Sequence, residues 1–543
     1  MLGDKLAAWA TTTPKAYGPH GACGLPSYVL TRIWRGYDPN LSGQIIVVPH
    51  GRNFLGAGAP HASPWPYTQR VPMFWYGPGL VQPGTFTRPV TSADIAPTLA
   101  RLVGFQDGFP GSGGQPIDGT DMTELQLVPG KKPALIVVMV WDAGGRFVLD
   151  LWPRNWPQMR GMKPKGAWFE NATVGSSPSN TAPIHATIGT GCFPRNHGII
   201  DNVMKFPDGR IRSSWADGPT ALRRPAMAEL YQAEMGDNVV IGMAGSVSWH
   251  LGMVGHGNIV DGAPKPVVIL KNDSDGGDSA PQWEMPPSVE GYYRFADYVR
   301  DLPPLDDPNG VYFQFADTLD GGADDGKWQG YDIGSLEGGW ATPARIPYQT
   351  NAIKDLVATE GFGHHGSDPN PNTDLLFLNY KLIDEIGHRY YASSPEMADS
   401  LWAQDHYLAL FTRFLDNQVG KGRWLMLVTA DHGHTAAPAV SGGYLINQHE
   451  VQNRIEALRA STTDPALLTQ VRPMWLNIDD AERVQSDLTY EDISKLIAEL
   501  TKQDTASSGD DPPAEMLSTE PVFDAAFAGS LLGHLSCWSP PAH

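Results

Sequence analysis

Residues Ala134–Trp141 read Ala-Leu-Ile-Val-Val-Met-Val-Trp, a near-continuous apolar run that stops at Asp142. A strand without polar alternation has to be covered on both faces, which is how the centre of a parallel sheet is built. Ligands of such sheets bind beyond the carboxyl ends of the strands, so Asp142 lies where chemistry is expected. Further strand candidates are Gln44–Val48, Val71–Tyr76, Val239–Met243, Tyr312–Phe315, Leu375–Tyr380 and Trp424–Thr429. Helical stretches separate several of them, for example Ala398–Gln418. This alternation predicts an α/β fold with a mostly parallel central sheet and helices on both faces. The stretch 105–133 is rich in Gly and Pro and reads as a linker. Residues 203–225 and 262–345 read as excursions or a cap. Residues 436–523 read as a second insertion with one clear helix, Tyr490–Lys502. No internal repeat is present.

Composition narrows the function. A net charge of −20 opposes stable binding to nucleic-acid backbones. It leaves room for a small anionic substrate where bound metal ions reverse the local field. Hydrophobic residues make up 41%, enough for a sizeable core. The cysteines, Cys23, Cys192 and Cys537, are odd in number and lack zinc-finger spacing, so no disulfide framework is expected. Residues 1–27 show no long apolar segment, and no run approaches the length of a membrane span. A cytoplasmic protein without a membrane span is the expectation.

Three predicted strand ends carry metal-type ligands: Asp142, then Asp384 with His388, then Asp431-His432-Gly433-His434. Carboxylate with imidazole suits zinc or a similar divalent ion. One such pair is ordinarily a surface ion pair; three at strand ends of one α/β chain are not. A fourth element is Asn180-Thr181-Ala182-Pro183-Ile184-His185. Ser179 or Asn180 can cap a helix there, with Pro183 in its first turn. Thr181 then sits at a helix N-terminus, where anions are favoured, either as a plain cap residue or as a nucleophile toward phosphorus.

Residues 131–202 and 374–435 resemble the type I phosphodiesterase / nucleotide pyrophosphatase branch of the alkaline phosphatase superfamily. The resemblance rests on Val140-Trp141-Asp142, Asn180 to His185, Pro194-Arg195-Asn196-His197-Gly198-Ile199, Asp384 with Gly387-His388, and Thr429-Ala430-Asp431-His432-Gly433. It implies an alkaline-phosphatase-like fold, a two-zinc site and a Thr nucleophile. Carried over by motif, Asp142, Thr181, Asp431 and His432 hold one metal. Asp384, His388 and one further histidine hold the other. Asn202 falls where the family places a phosphoryl-binding Asn.

The missing histidine belongs, in the family, to a segment downstream of Asp-His-Gly. Here the similar segment lies upstream: His61-Ala62-Ser63-Pro64, then Val71 to Gly77, then Ser92 to Ala100. Residues 28–130 therefore resemble the family's C-terminal part, and here that part precedes the N-terminal one, the order of a circular permutant. His61 is assigned to the second metal over His50, His449 and His534, because its neighbours match. The core is then 131–202 and 374–435, with 203–373 supplying more core and the cap excursions.

The resemblance implies hydrolysis of a phosphodiester or pyrophosphate bond of nucleotide type through a phosphothreonine. Monoesterase relatives carry a Lys and an Arg two residues apart. The corresponding stretch here is Gly245 to His250, with Ser248 and His250 in their places and Trp249 as an apolar wall. That favours diesters over monoesters as the small-molecule substrate. A monoesterase of the same superfamily and a catalytically inactive metal-binding permutant remain as alternatives. The sulfatase motif Cys-x-Pro-x-Arg is not met, since Cys192-Phe193-Pro194-Arg195 is followed by Asn196. His185 and His197 read as structural.

Overall fold

The computed structural model describes residues 19–56, 58–110, 116–257, 264–271, 283–322, 324–364, 371–459, 466–506 and 518–541. Parts of the excursions within 203–373 and 436–523 lie outside the described residues. The strands that carry the fold are, in chain order, β1 (Ile45–Pro49), β2 (Met73–Tyr76), β3 (Gly84–Phe86), β4 (Leu135–Trp141) and β5 (Ala167–Phe169). They continue as β6 (Ile241–Ala244), β7 (Val267–Ile269), β8 (Arg294–Phe295), β9 (Asp374–Tyr380), β10 (Trp424–Thr429), β11 (Leu468–Val471), β12 (Trp475–Ile478) and β13 (Phe523–Ala528). The helices around the site are α1 (Ile95–Val103), α2 (Thr181–Thr190), α3 (Leu382–Tyr390) and α4 (Pro395–Leu415).

The apolar run at Leu135–Trp141 is the middle strand of a nine-stranded sheet ordered β8-β7-β6-β9-β4-β10-β2-β5-β3. It pairs parallel with β9 on one side and β10 on the other. The sheet is parallel from β8 to β10, and β2 is the strand that runs against its neighbours. Every β4 side chain is buried. Leu135, Val137, Met139 and Trp141 enter one core, with Ile346, Ile353 and the α4 residues Leu401 and Leu408. Ile136, Val138 and Val140 enter the other, with Leu99 of α1 and Ile184 and Ile188 of α2. Helices therefore cover both faces, and each buried aliphatic side chain of β4 contributes about 1.5–3 kcal/mol.

One strand expectation fails. Tyr312–Phe315 lies in a helix, Val311–Asp317, that buries Tyr312, Phe313 and Ala316. Burial at i, i+1 and i+4 follows the helical period, and it outweighs the aromatic composition that suggested a strand.

A second, antiparallel sheet is ordered β11-β12-β1-β13. Its central strand β1 comes from the start of the chain, and the other three come from the end. Ile45 and Val47 face the sheet's own small core, while Ile46 and Val48 face the main body. The absence of a disulfide is also corrected: Cys23 is bonded to Cys537, and Cys192 alone is free and buried. An odd count left two cysteines able to pair across the whole length of the chain. Among the described residues no helix is long and apolar enough to cross a membrane.

Candidate metal centre

The carboxyl ends of the three middle strands converge. Asp142 follows β4, Asp431 and His432 follow β10, and Asp384 and His388 lie one turn apart on α3, just after β9. Thr181 is the first residue of α2 and is fully buried. Asn180 occupies the cap position in extended conformation, but its side chain does not cap; Nδ2 donates to Asp201 Oδ1 at 2.6 Å. The donor freed at the helix start, the Ala182 N–H, is taken by Asn202 Oδ1 at 2.8 Å. That bond fixes the Asn202 carboxamide and leaves its Nδ2 as the donor for a ligand.

Two ligand groups form. In the first, Asp142, Asp431 and His432 bring their ligand atoms within 4.8 Å of one another. His432 Nε2 lies 3.4 Å from Asp142 Oδ1 and 3.3 Å from Asp431 Oδ2. In the second, Asp384 Oδ1 lies 3.3 Å from His61 Nε2 and 3.5 Å from His388 Nε2. The groups adjoin, since the His61 and His432 rings stack with centroids 3.5 Å apart. His61 is held by the loop before α2: its Nδ1 meets Ser179 O at 2.9 Å, and Ser179 Oγ donates back to His61 O at 2.9 Å. Of the rival histidines, His50 pairs with Asp524, while His449 and His534 are exposed.

The donor set fits divalent metal. A carbonyl only accepts, so His61 Nδ1 carries its proton toward Ser179 O and His432 Nδ1 toward Gly433 O, 2.9 Å away. Each Nε2 is left with a bare lone pair facing carboxylates. Burial holds the His432 pKa down at about 4 and His61 well below its usual range, so both stay neutral. Asp384 Oδ1, Asp431 Oδ2 and His432 Nε2 are buried with no hydrogen-bond partner among the described residues. Such atoms cost about 1–3 kcal/mol each unless something binds them. Burial and the neighbouring Asp142 push the Asp431 carboxyl well up. Burial acts on Asp142 in the same sense, but the Lys381 ammonium overrides it and holds Asp142 ionised.

Asp142 also lies within ligand distance of His185 and His250, both fully buried. Three of their four nitrogens are hydrogen-bonded, and His250 Nε2 faces Asp142 without a hydrogen bond. His185 Nδ1 meets Thr181 O at 2.8 Å, and Nε2 meets Asn379 Nδ2 at 2.9 Å, itself a donor to Asp142 Oδ2. His250 Nδ1 accepts from the Ser246 N–H at 3.2 Å, so its proton is on Nε2, 3.5 Å from Asp142 Oδ2. These rings support Asp142 from behind.

A cavity of about 220 Å³ opens over the centre, lined by Thr181, Asn202, His61, Asp384 and His388 among others. Of the residues expected against substrate on the Gly245–His250 stretch, Trp249 lines it, with Ser246 and Val247. Ser248 does not, and His250 faces Asp142 instead. The sequence motifs missed Lys381, Lys271, Arg345 and Trp340 on the cavity wall. Lys381 Nζ sits 2.6 Å from Asp384 Oδ2, 3.2 Å from Asp142 Oδ1 and 3.1 Å from Thr181 Oγ1. The available signal was its spacing, three residues before a ligand Asp at a strand end.

A sequence profile of the type I phosphodiesterase / nucleotide pyrophosphatase family matches residues 136–528. The chain belongs to that family. It is a hydrolase family acting on phosphoester and phosphodiester bonds, and the matched span holds each of these candidate ligands except His61. Among curated relatives, the alkaline phosphatase PhoV of Synechococcus elongatus is 35% identical over 95 residues, 18% of this chain and 16% of its own length. The alkaline phosphatase PafA of Elizabethkingia meningoseptica is 32% identical over 128 residues, 20% of this chain and 22% of its own. The matches thus span less than a quarter of those relatives. The crystal structure of wild-type PafA aligns at 17% identity with a TM-score of 0.49, covering 74% of this chain and 85% of that one. Murine ectonucleotide pyrophosphatase / phosphodiesterase 5 aligns at 14% identity and a TM-score of 0.35, covering 73% and 78%.

Proposed function

We propose that this chain hydrolyses phosphodiester or pyrophosphate bonds of nucleotide type through a phosphothreonine at Thr181, with two zinc ions as cofactors. The observation that carries the reading is one hydroxyl at a helix start beside two adjoining ligand sets, in which Asp384 Oδ1, Asp431 Oδ2 and His432 Nε2 are buried without a hydrogen-bond partner among the described residues. Asp142, Asp431 and His432, with Thr181, would hold one ion; Asp384, His388 and His61 would hold the other. Bound there, the ions would supply Lewis acidity that acidifies the Thr181 hydroxyl and offsets charge on the phosphoryl group. Thr181 Oγ1, its proton lost to solvent, forms the new bond to phosphorus while the bond to the leaving oxygen breaks. Asn202 Nδ2 donates to a non-bridging oxygen. Water then cleaves the phosphothreonine and regenerates the hydroxyl.

Diester preference is supported by the neutral lining after β6, namely Ser246, Val247 and Trp249. The monoesterase reading keeps one support: Lys271 and Arg345 line the same cavity and could meet a dianion. We also read residues 28–130 as the family's C-terminal part in permuted order. The antiparallel pairing of β2 with β10 and the place of His61 support this. The disulfide between Cys23 and Cys537 weighs for an oxidising compartment over the cytoplasm.

The test is turnover of a bis(nitrophenyl) diester against the nitrophenyl monoester, with protein stripped by chelator and reloaded with zinc. Zinc-dependent activity that favours the diester is expected. Activity that survives complete metal removal would sink the reading, and a clear monoester preference would replace it with the second.

A further inference from the structure

The family's ligand set leaves Lys381 without a part, yet its ammonium lies at the middle of the centre. The residue joins β9 to α3 and is nine-tenths buried. An ammonium has three protons to give. Three acceptors stand within 3.2 Å of Nζ: Asp384 Oδ2, Asp142 Oδ1 and Thr181 Oγ1. They come from three separate elements, and Asp142 and Asp384 belong to different ligand groups. A single monovalent cation therefore bridges one carboxylate from each ligand group, where two divalent ions would each hold one. Charges of like sign at such separations in a buried site repel strongly.

The side chain has somewhere to go. Lys381 also lines the cavity over the centre, whose wall carries the carboxylates of Glu337 and Glu385, both ion-paired with Arg389. A four-carbon stem can carry the ammonium from one set of acids to the other.

We propose that Lys381 is an internal competitor for the metal centre: its ammonium has to leave Asp142 and Asp384 as the second ion enters. This rests on the two-metal reading above. Its consequence is that the chain binds its second ion more weakly than the same ligands would without the lysine. The second ion and the outward position of Lys381 are then coupled states of one site.

The experiment is zinc titration of chelator-stripped protein against a chromophoric chelator, for wild type, Lys381→Met, Lys381→Gln and Lys381→Arg. The neutral variants should bind the second zinc about ten-fold or more tightly than wild type, a usual size for coupled sites. Lys381→Arg, which keeps the charge, should stay close to wild type. Lys381→Gln serves should the Met variant not fold. Second-site affinity that is unchanged or weaker in a folded neutral variant overturns the proposal. Wild-type protein that takes up no zinc at all overturns the two-metal reading instead, so the two failures are distinct.

Discussion

Position 181 separates the parts of a threonine. Thr181→Ala removes the hydroxyl, and under the proposed reaction it should lower turnover at least about 1,000-fold, as removal of a nucleophile does. Thr181→Ser keeps the oxygen and should retain measurable rate. The thermal midpoint of both should stay near wild type, because Thr181→Ser loses one methyl group and Thr181→Ala one methyl and one hydroxyl; a fall in midpoint matching the fall in rate would contradict the assignment. His61→Ala should reduce bound zinc from two per chain to about one, read by elemental analysis after dialysis. Unchanged zinc in that variant would remove His61 from the second ligand group. Asp142, Asp384, His388, Asp431 and His432 were legible because strand ends and motif spacing are local properties. Lys381 was not, because its meaning comes from Asp142 and Thr181, which only the fold brings to it. His250 was misplaced for a related reason: a ring fully buried against Asp142 and a ring facing a cavity have the same sequence neighbours.

Between elements, one side-chain pair joins the accessory sheet to the main body and another lies within that sheet. Arg472, beyond the end of β11, makes a bidentate pair with Asp201, its Nε and Nη2 each donating at 2.9 Å. Asp201 Oδ1 also accepts from Asn180 Nδ2 and from the Asn202 N–H. Arg472→Met should therefore loosen Asn202 and reduce kcat several-fold with intact zinc content. An unchanged kcat would show that Asn202 is held by Ala182 alone. The second contact is His50 Nδ1 with Asp524 Oδ1 at 2.7 Å, between the end of β1 and β13. The hydrogen bond to Asp524 raises the His50 pKa above its unfolded value of 6.5. The stabilisation is thus complete below pH 6.5 and is lost as pH rises through the folded pKa. His50→Gln should cost up to about 1 kcal/mol on the acid side and little at alkaline pH. Thermal midpoints across the pH range check this, and an equal gap at every pH would refute it. Strand and helix positions such as β4 and β10 were readable from unbroken apolar runs, whereas Val311–Asp317 was not, since its aromatic content masked a helical spacing.

For the whole molecule, the fold class followed from one apolar strand and the alternation around it. The pairing of β1 with β12 and β13 did not, because partners more than 400 residues apart leave no local mark. The same holds for Cys23 and Cys537, which are 514 positions apart. Cys23→Ser should lower stability by about 2–5 kcal/mol, as removing native disulfides commonly does. A reductant should shift the thermal midpoint of wild type and leave that of Cys23→Ser alone; equal shifts would show the bond to be idle. The closed loop also decides how the protein would meet mechanical load. A pull applied at its two ends enters at Cys23 and Cys537 and is carried by a covalent bond, so the hydrogen bonds between β1 and β13 and the metal centre behind them are shielded from the force. Under reduction the same pull would fall directly on that ladder and peel it open.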